Sequence, residues 1–502
     1  MSLNKKQLLK QNFRCENFVP HSIMSQSGRD AGSESGENCD NFALIAPRDE
    51  LPTIAGGNRP PPLALLVHSA VTRAYEKVPN RGKALPHTGE WSVLSAIVCE
   101  EPSNGEFWVV SMATGSKCCG PGVINSSSAG GYVLHDSHAE VLAKRAFTYA
   151  LLEEMRSGHG RLLERSSSKF SLRGGIKFHL YISESPCGDA TIYNLSDGSC
   201  ASSSATMTNF TGAKAFEPIS APASAESESL ASSVPTASPI REPEEQSLSC
   251  LRLKSGRSNI PTPKRSLSHC CSDKIVRWCK LGLSGALTKK LMIKDAFLSS
   301  VVVSPDPRLG SCTDSQEDAL ARAITRRGGC DVHVLPPSLL PVPWSFGRIA
   351  KQQQQAKHGK VSASGVSINY VYLDDALGKG GSPFTELTVG ATGLKQGAGG
   401  KKRKGAPNGV LPPPPSSRLC RRELLSLAAR IINHPLPSHD GAAATAKAKC
   451  TYDQAKREIA GEAYTKSKDS LLEMVTNDRR ADSDGNPLRG WCRCTAANNF
   501  DL

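Results

Sequence analysis

Between Trp91 and Ile182 the apolar residues change period twice, and that succession restricts the fold more than any other feature of the chain. Trp91 to Val98 and Phe107 to Met112 read as strands joined by a polar turn at Ser103, Asn104 and Gly105. Ser137 to Met155 has the length and composition of a helix, after which Ile176, Phe178, Leu180 and Ile182 alternate with polar residues as a further strand. Strand, helix, strand in that order predicts an α/β core.

The pattern extends on both sides of this segment. Leu63, Leu66, Val67, Ala70, Val71, Ala74 and Val78 recur at helical spacing directly after Pro60, Pro61 and Pro62, so an amphipathic helix opens the folded part. A short helix at Asp273 to Cys279, a strand at Leu298 to Val303 and two last helices at Arg418 to Ile432 and Tyr452 to Val475 follow. The rest is poor in core-forming residues. Residues 1–62 are polar and aperiodic and are expected to be disordered; segments at about 195–249, rich in Ser, Ala, Pro and Glu, and about 393–416, rich in Gly, Lys and Pro, read as low-complexity insertions. A length of 502 residues with 38% hydrophobic residues therefore suggests one domain over 63–502 rather than two or three packed ones.

Composition removes several classes of function. The apolar runs Leu63 to Val67 and Leu298 to Val303 are far short of the ~20 residues that span a bilayer, and the N-terminal twenty residues carry charges where a signal peptide has an apolar stretch. Seventeen cysteines without a repeated spacing fit a reducing, intracellular compartment, cytoplasm or nucleus, better than a disulfide framework. A net charge of +14 points to an anionic partner, nucleic acid or a phosphate-rich ligand.

Three short motifs carry the chemistry. His138-Ala139-Glu140 stands at the mouth of the Ser137 to Met155 helix, and Pro186-Cys187 follows the strand that ends at Ile182. This is the grammar of zinc nucleobase deaminases, in which H-x-E supplies a ligand and a proton carrier and Pro-Cys supplies a thiolate. The residue three after Cys187 is Ala190, so the third ligand has to come from elsewhere, with Cys271 as the best candidate and the adjacent Cys270 as its competitor. The remaining cysteines, Cys118 among them, read as buried or incidental thiols.

At His138-Ala139-Glu140, Pro186-Cys187-Gly188-Asp189-Ala190 and Cys271-Ser272-Asp273-Lys274-Ile275-Val276-Arg277-Trp278 the chain resembles the adenosine deaminase domain shared by double-stranded RNA editing deaminases and the tRNA adenosine deaminase of alanine tRNA. The resemblance extends to Gly115 to Cys118, Leu251 to Lys254, Gly282 to Leu287, Ser367 to Tyr370 and Tyr452 to Lys456, and covers roughly Leu63 to Trp491. It implies a cytidine-deaminase-like α/β core, a mixed sheet flanked by helices with a C-terminal helical extension, and one zinc per chain on His138, Cys187 and Cys271. A metal so held leaves a tetrahedral position for water, whose pKa falls toward about 7, while Glu140 shuttles protons between that water, N1 of adenine and the departing ammonia. On spacing alone Lys144, Arg145, Lys274 and Arg277 are solvated helix faces. The resemblance instead implies an inositol hexakisphosphate held by Lys144, Arg145, Lys274, Arg277, Trp278, Tyr452, Lys456 and Trp491, with Asp136 and Lys254 linking it to the metal ligands by hydrogen bonds.

The region ahead of Leu63 has no helix-and-strand pattern of a double-stranded RNA-binding module, so a tRNA is the expected partner and not DNA: by the resemblance, adenosine 37 of alanine tRNA, beside the anticodon. Another structured or double-stranded RNA, or an inactive RNA-binding role, are the alternatives. Lys401, Lys402, Arg403 and Lys404 read equally as part of an RNA-tracking surface, a flexible loop or a nuclear localisation patch.

Overall fold

The computed structural model describes residues 61–84, 88–125, 130–195, 248–254, 266, 268–310, 312–340, 344–354, 361–374, 382–397, 415–433 and 451–472, with short pairings at 208–209 and 214–215. The expected N-terminal disorder, Lys401 to Lys404 and Trp491 lie outside the described residues. So do residues 196–207 and 216–247 of the expected insertion at 195–249 and residues 398–414 of the one at 393–416.

The centre of the fold is an eight-stranded mixed sheet. In chain order its strands are β1 (Leu94–Glu101), β2 (Glu106–Thr114), β3 (Lys177–Ile182), β4 (Leu298–Val303), β5 (His333–Leu335), β6 (Val366–Leu373), β7 (Ser382–Val389) and β8 (Leu394–Lys395). Across the sheet they run β5-β4-β3-β1-β2-β6-β7-β8, parallel between β3, β4 and β5 and antiparallel elsewhere. Strand alternation sends two sets of side chains to two different cores. Ile97, Val110, Leu180, Val301 and Val303 pack with Leu142, Ala146, Phe147 and Leu151 of helix α2 (Ala139–Ser157). On the opposite face Ala96, Val98, Val109, Met112 and Val302 pack with Val67, Ala70 and Val71 of helix α1 (Leu63–Lys77). Each fully buried Val or Leu here contributes about 1.5–3 kcal/mol relative to exposure, so the strands with buried residues on both faces anchor everything that hangs from their ends.

Three further helices matter for the site: α3 (Cys271–Leu281), α4 (Arg421–Asn433) and α5 (Tyr452–Ala460). The single helix expected from Tyr452 to Val475 is two. Gly461 takes φ +81°, which separates α5 from α6 (Glu462–Leu472), and residues beyond 472 lie outside the described set. The helix expected from Ser137 starts at Ala139, because Asp136–His138 forms a short strand antiparallel to Ser116–Cys118. Trp91 is likewise off β1, on a two-residue strand parallel to Ser362–Ala363. No helix among the described residues is long and apolar enough to cross a membrane.

Candidate active site

The two parallel strands β3 and β4 deliver the loops that carry the site, at the carboxyl ends where open α/β sheets place their ligands. Cys187 follows β3 by five residues, and Ser304 to Arg308 follow β4 directly. The other walls come from helix starts. His138 is the N-cap residue of α2, with extended φ −69°, ψ 142°, and Cys271 is the first residue of α3.

Backbone contacts lock these pieces together. Ser272 N donates to the Cys187 carbonyl at 3.1 Å, and Cys271 N donates to Cys187 Sγ at 3.3 Å, so the thiolate sits on the amide-rich end of α3. Gly188 makes the approach possible. Its φ is +107°, and a Cβ there would lie 2.6 Å from Cys270 Cβ and 2.5 Å from Ser272 Oγ. Neighbouring thiol contacts, from Cys270 and then Cys271, hold the Cys187 thiol well below its usual pKa.

His138, Cys187 and Cys271 bring their ligand atoms within 4.8 Å of one another. Nδ1 of His138 is 3.8 Å from Cys187 Sγ and 3.7 Å from Cys271 Sγ. Tetrahedral zinc with usual bond lengths separates nitrogen and sulfur ligands by about 3.5 Å, so the donor set and its spacing both fit. Cys270, the competing thiol, is fully buried at the N-cap of α3 and is not one of the three. Cys118, read from the sequence as a buried or incidental thiol, lies with Asp136 and His138 in a second group whose ligand atoms come within 4.8 Å.

Glu140 is 2% exposed, and its Oε2 has no hydrogen-bond partner among the described residues. Burial raises its pKa above the usual carboxylate value. An orphaned buried carboxylate oxygen is costly unless a ligand, water or proton completes it. It lines a cavity of about 220 Å³ with His138, Cys187, Trp91, Glu184, Tyr193 and Arg308 among its walls. Part of that wall is rigidly built: Tyr193 donates to Asp306 Oδ2 at 2.6 Å, and Arg308 grips the same carboxylate through Nε at 3.0 Å and Nη2 at 2.5 Å.

Behind the donors, Asp136 gathers four hydrogen bonds. Its Oδ1 accepts from His138 N at 3.0 Å, and its Oδ2 accepts from Lys254 Nζ at 2.8 Å, Ser268 Oγ at 2.6 Å and Lys274 Nζ. Lys254 Nζ also reaches Cys271 Sγ at 3.1 Å. Burial alone would raise the pKa of Asp136, but Lys254 and Lys274 hold it well below the carboxylate range.

One turn deeper along the same helices is a cluster of cations. Lys144 and Arg145 on α2, Arg277 on α3 and Lys456 on α5 are half-buried, and Trp278 and Tyr452 beside them are buried. Burial, then Arg145, Arg277 and Lys456, pushes Lys144 down to about 7; burial, then Arg421 and Arg277, pushes Lys456 down to about 8. Burial and Arg421 bring Arg145 down to about 10. Arg421, at the start of α4, carries no sequence motif that marks it; only the packing of α4 on α2 brings it here. Lys274 is placed differently from the others, against Asp136 and Ser268 Oγ at 2.6 Å, where it joins the cation cluster's helix to the candidate metal site.

The adenosine-deaminase (editase) domain profile matches residues 111–479. The tRNA-specific adenosine deaminase 1 of Drosophila melanogaster is 29% identical over 263 residues, 51% of this chain and 57% of that protein, less than two thirds of its length. The mouse (Mus musculus) protein of the same name is 26% identical over 455 residues, 71% of this chain and 85% of its own. The Drosophila double-stranded RNA-specific editase Adar is 27% identical over 311 residues, 57% of this chain and 38% of its own. The chain, with the ligand atoms of His138, Cys187 and Cys271 gathered beside a cavity that Glu140 lines, belongs to the adenosine-deaminase (editase) domain family.

Proposed function

We propose that this chain is a zinc-dependent hydrolytic deaminase that converts adenosine to inosine in tRNA, with adenosine 37 of alanine tRNA as its target. The observation that carries the chemistry is the convergence of His138, Cys187 and Cys271 next to a cavity lined by His138, Cys187 and buried Glu140, whose Oε2 is unpartnered among the described residues. Zinc, when bound there, supplies an activated water as the nucleophile. Glu140 accepts one proton of that water and delivers it to N1 of adenine as C6 is attacked. It then carries the second proton to the amino group at C6, which leaves as ammonia, so that inosine and ammonia account for adenosine plus water. Asp136 and Lys254 position the imidazole and the Cys271 thiolate, holding His138 through its backbone N–H and Cys271 through its sulfur.

The match to proteins named as tRNA-specific supports a tRNA substrate, and a base beside an anticodon is one that leaves its stack cheaply. The cation cluster supports a bound polyphosphate, inositol hexakisphosphate in this reading, held by Lys144, Arg145, Arg277, Trp278, Tyr452 and Lys456, with Arg421 added and Lys274 at its edge; Trp491, the remaining expected contact, lies outside the described residues. Neither Lys144, Arg145 nor Lys456 has a carboxylate ion pair among the described residues, and crowding such cations in a half-buried space costs stability that a bound anion would restore.

The test uses the purified chain with alanine tRNA transcript, with inosine read as an A-to-G change on sequencing. Glu140→Gln keeps shape but cannot pass protons, and the expected loss is about 10²- to 10⁴-fold or more in rate with tRNA binding retained. Activity of Glu140→Gln within tenfold of wild type refutes the mechanism. An unmodified tRNA alongside a deaminated long RNA duplex refutes the substrate.

A further inference from the structure

Trp91 stands apart from the other tryptophans of the described region. Trp108 packs against Tyr372 and lies under Arg161, Trp344 packs against Tyr75 and Phe346, and Trp278 is 5% exposed in the core. Trp91 is half-buried, has no ring partner among the described residues, and lines the same cavity as His138, Glu140 and Cys187. Its backbone is held on both sides. Glu90 and Trp91 pair in parallel with Ser362 and Ala363, Ser92 N donates to Phe346 O at 3.0 Å, and Trp344 Nε1 donates to Ser92 O at 3.0 Å. A half-buried indole on so held a strand, with no ring stacked on it among the described residues, can meet a base without the ordering cost of a mobile loop.

At about 220 Å³ the cavity is smaller than the roughly 300–1,000 Å³ of ordinary ligand pockets, a size suited to one base rather than two. When one base leaves its stack, its neighbour in the strand is left with a bare face, and that opposes binding. We infer that Trp91 is a substrate-positioning residue that stacks on the nucleobase adjacent to the target adenosine, covering the face that the target exposes on entering the cavity. The inference rests on the RNA-deaminase reading above and assigns a role that reading does not contain. Base–aromatic stacking is sequence-tolerant, so Trp91 contributes affinity and register without selecting a particular neighbour.

The experiment measures equilibrium binding of an anticodon stem-loop RNA in a Glu140→Gln background, so that no deamination intervenes, with a second RNA bearing abasic residues on both sides of the target. Trp91→Ala should weaken binding of the intact RNA by roughly 5- to 150-fold, and Trp91→Phe should recover most of it. On the abasic RNA, Trp91→Ala should differ from its parent by less than about twofold, because the partner of the ring is gone. Equal metal content and unfolding midpoints for the parent and the two Trp91 variants exclude misfolding as the cause. Unchanged affinity in Trp91→Ala, or the same loss on intact and abasic RNA, overturns the inference. Failure of the parent to bind any RNA overturns it too, and strikes first at the RNA-deaminase reading.

Discussion

Asp136 is 6% exposed and takes hydrogen bonds from two ammonium groups, one hydroxyl and one backbone amide. Asp136→Asn changes one oxygen for an NH₂ group and removes the charge that holds Lys254 and Lys274 together. Charge-assisted hydrogen bonds contribute about 1.5–3 kcal/mol each, and breaking a buried ion pair from one side costs about 3–5 kcal/mol. The amide oxygen can keep one lysine, which places the expected loss at about 3–5 kcal/mol rather than the sum of both bonds. Against a domain stability of about 5–15 kcal/mol that is a large fraction. The pH dependence gives a second reading. Because the folded-state pKa of Asp136 is depressed, its contribution is complete above the unfolded carboxylate value of about 3.9 and is lost as pH falls through the folded value. Urea unfolding of the two proteins should therefore show a gap that is full at pH 7 and shrinks once the pH drops below about 4. A gap under about 1 kcal/mol at pH 7, or one that does not change toward acid pH, would refute the four-bond account of Asp136.

The metal donors are separable by content analysis: Cys187→Ala and Cys271→Ala should each lose the zinc, while Cys270→Ala, whose sulfur lies outside the three-donor group, should keep it. The cation cluster should make polyphosphate-stripped protein more stable as pH rises from about 7 to 10, because Lys144 and Lys456, depressed to about 7 and 8, bind fewer protons folded than unfolded across that window. Thermal melts of stripped protein that stay flat or fall over this range would contradict the cluster, and adding the polyphosphate back should abolish the rise. Wild type denatured in acid should also release close to one equivalent of polyphosphate per chain.

The three residues of the candidate metal site are legible in the sequence because each one sits at a boundary that local chemistry marks: His138 before a long helical run, Cys187 after an alternating strand, Cys271 before Ser-Asp-Lys at a helix start. The burial of β6 and β7 is not legible, for the opposite reason. β6 alternates Val366, Ile368 and Tyr370 with Ser367 and Asn369, which reads as a strand with one wet face, yet β6 and β7 bury Ser367, Asn369, Glu386 and Thr388, and Asn369 Nδ2 donates to Thr388 Oγ1 across the pair at 3.1 Å, so their place inside the sheet is a tertiary outcome. Arg421 is invisible because nothing in the run Arg418, Arg421, Arg422 distinguishes the residue that acts on Arg145 from those that do not. The break at Gly461 escapes notice because one glycine costs a helix only about 1 kcal/mol, and the positive φ it adopts is a tertiary choice.

The donor from α3 enters the chain 84 residues after Cys187. During synthesis at about 5–20 residues per second, an emerging polypeptide therefore carries one imidazole and one thiolate for roughly 4 to 17 s before the last ligand exists. Two donors hold zinc weakly. Loading is then a late event that requires α3 to dock its first turn against Cys187, and a metal that binds only the completed arrangement pulls the folding equilibrium toward it. A chain stalled or cleaved before Cys271 would gain nothing from that pull, so metal capture on these three proposed donors would discriminate chains that reach α3 from those that stop short of it.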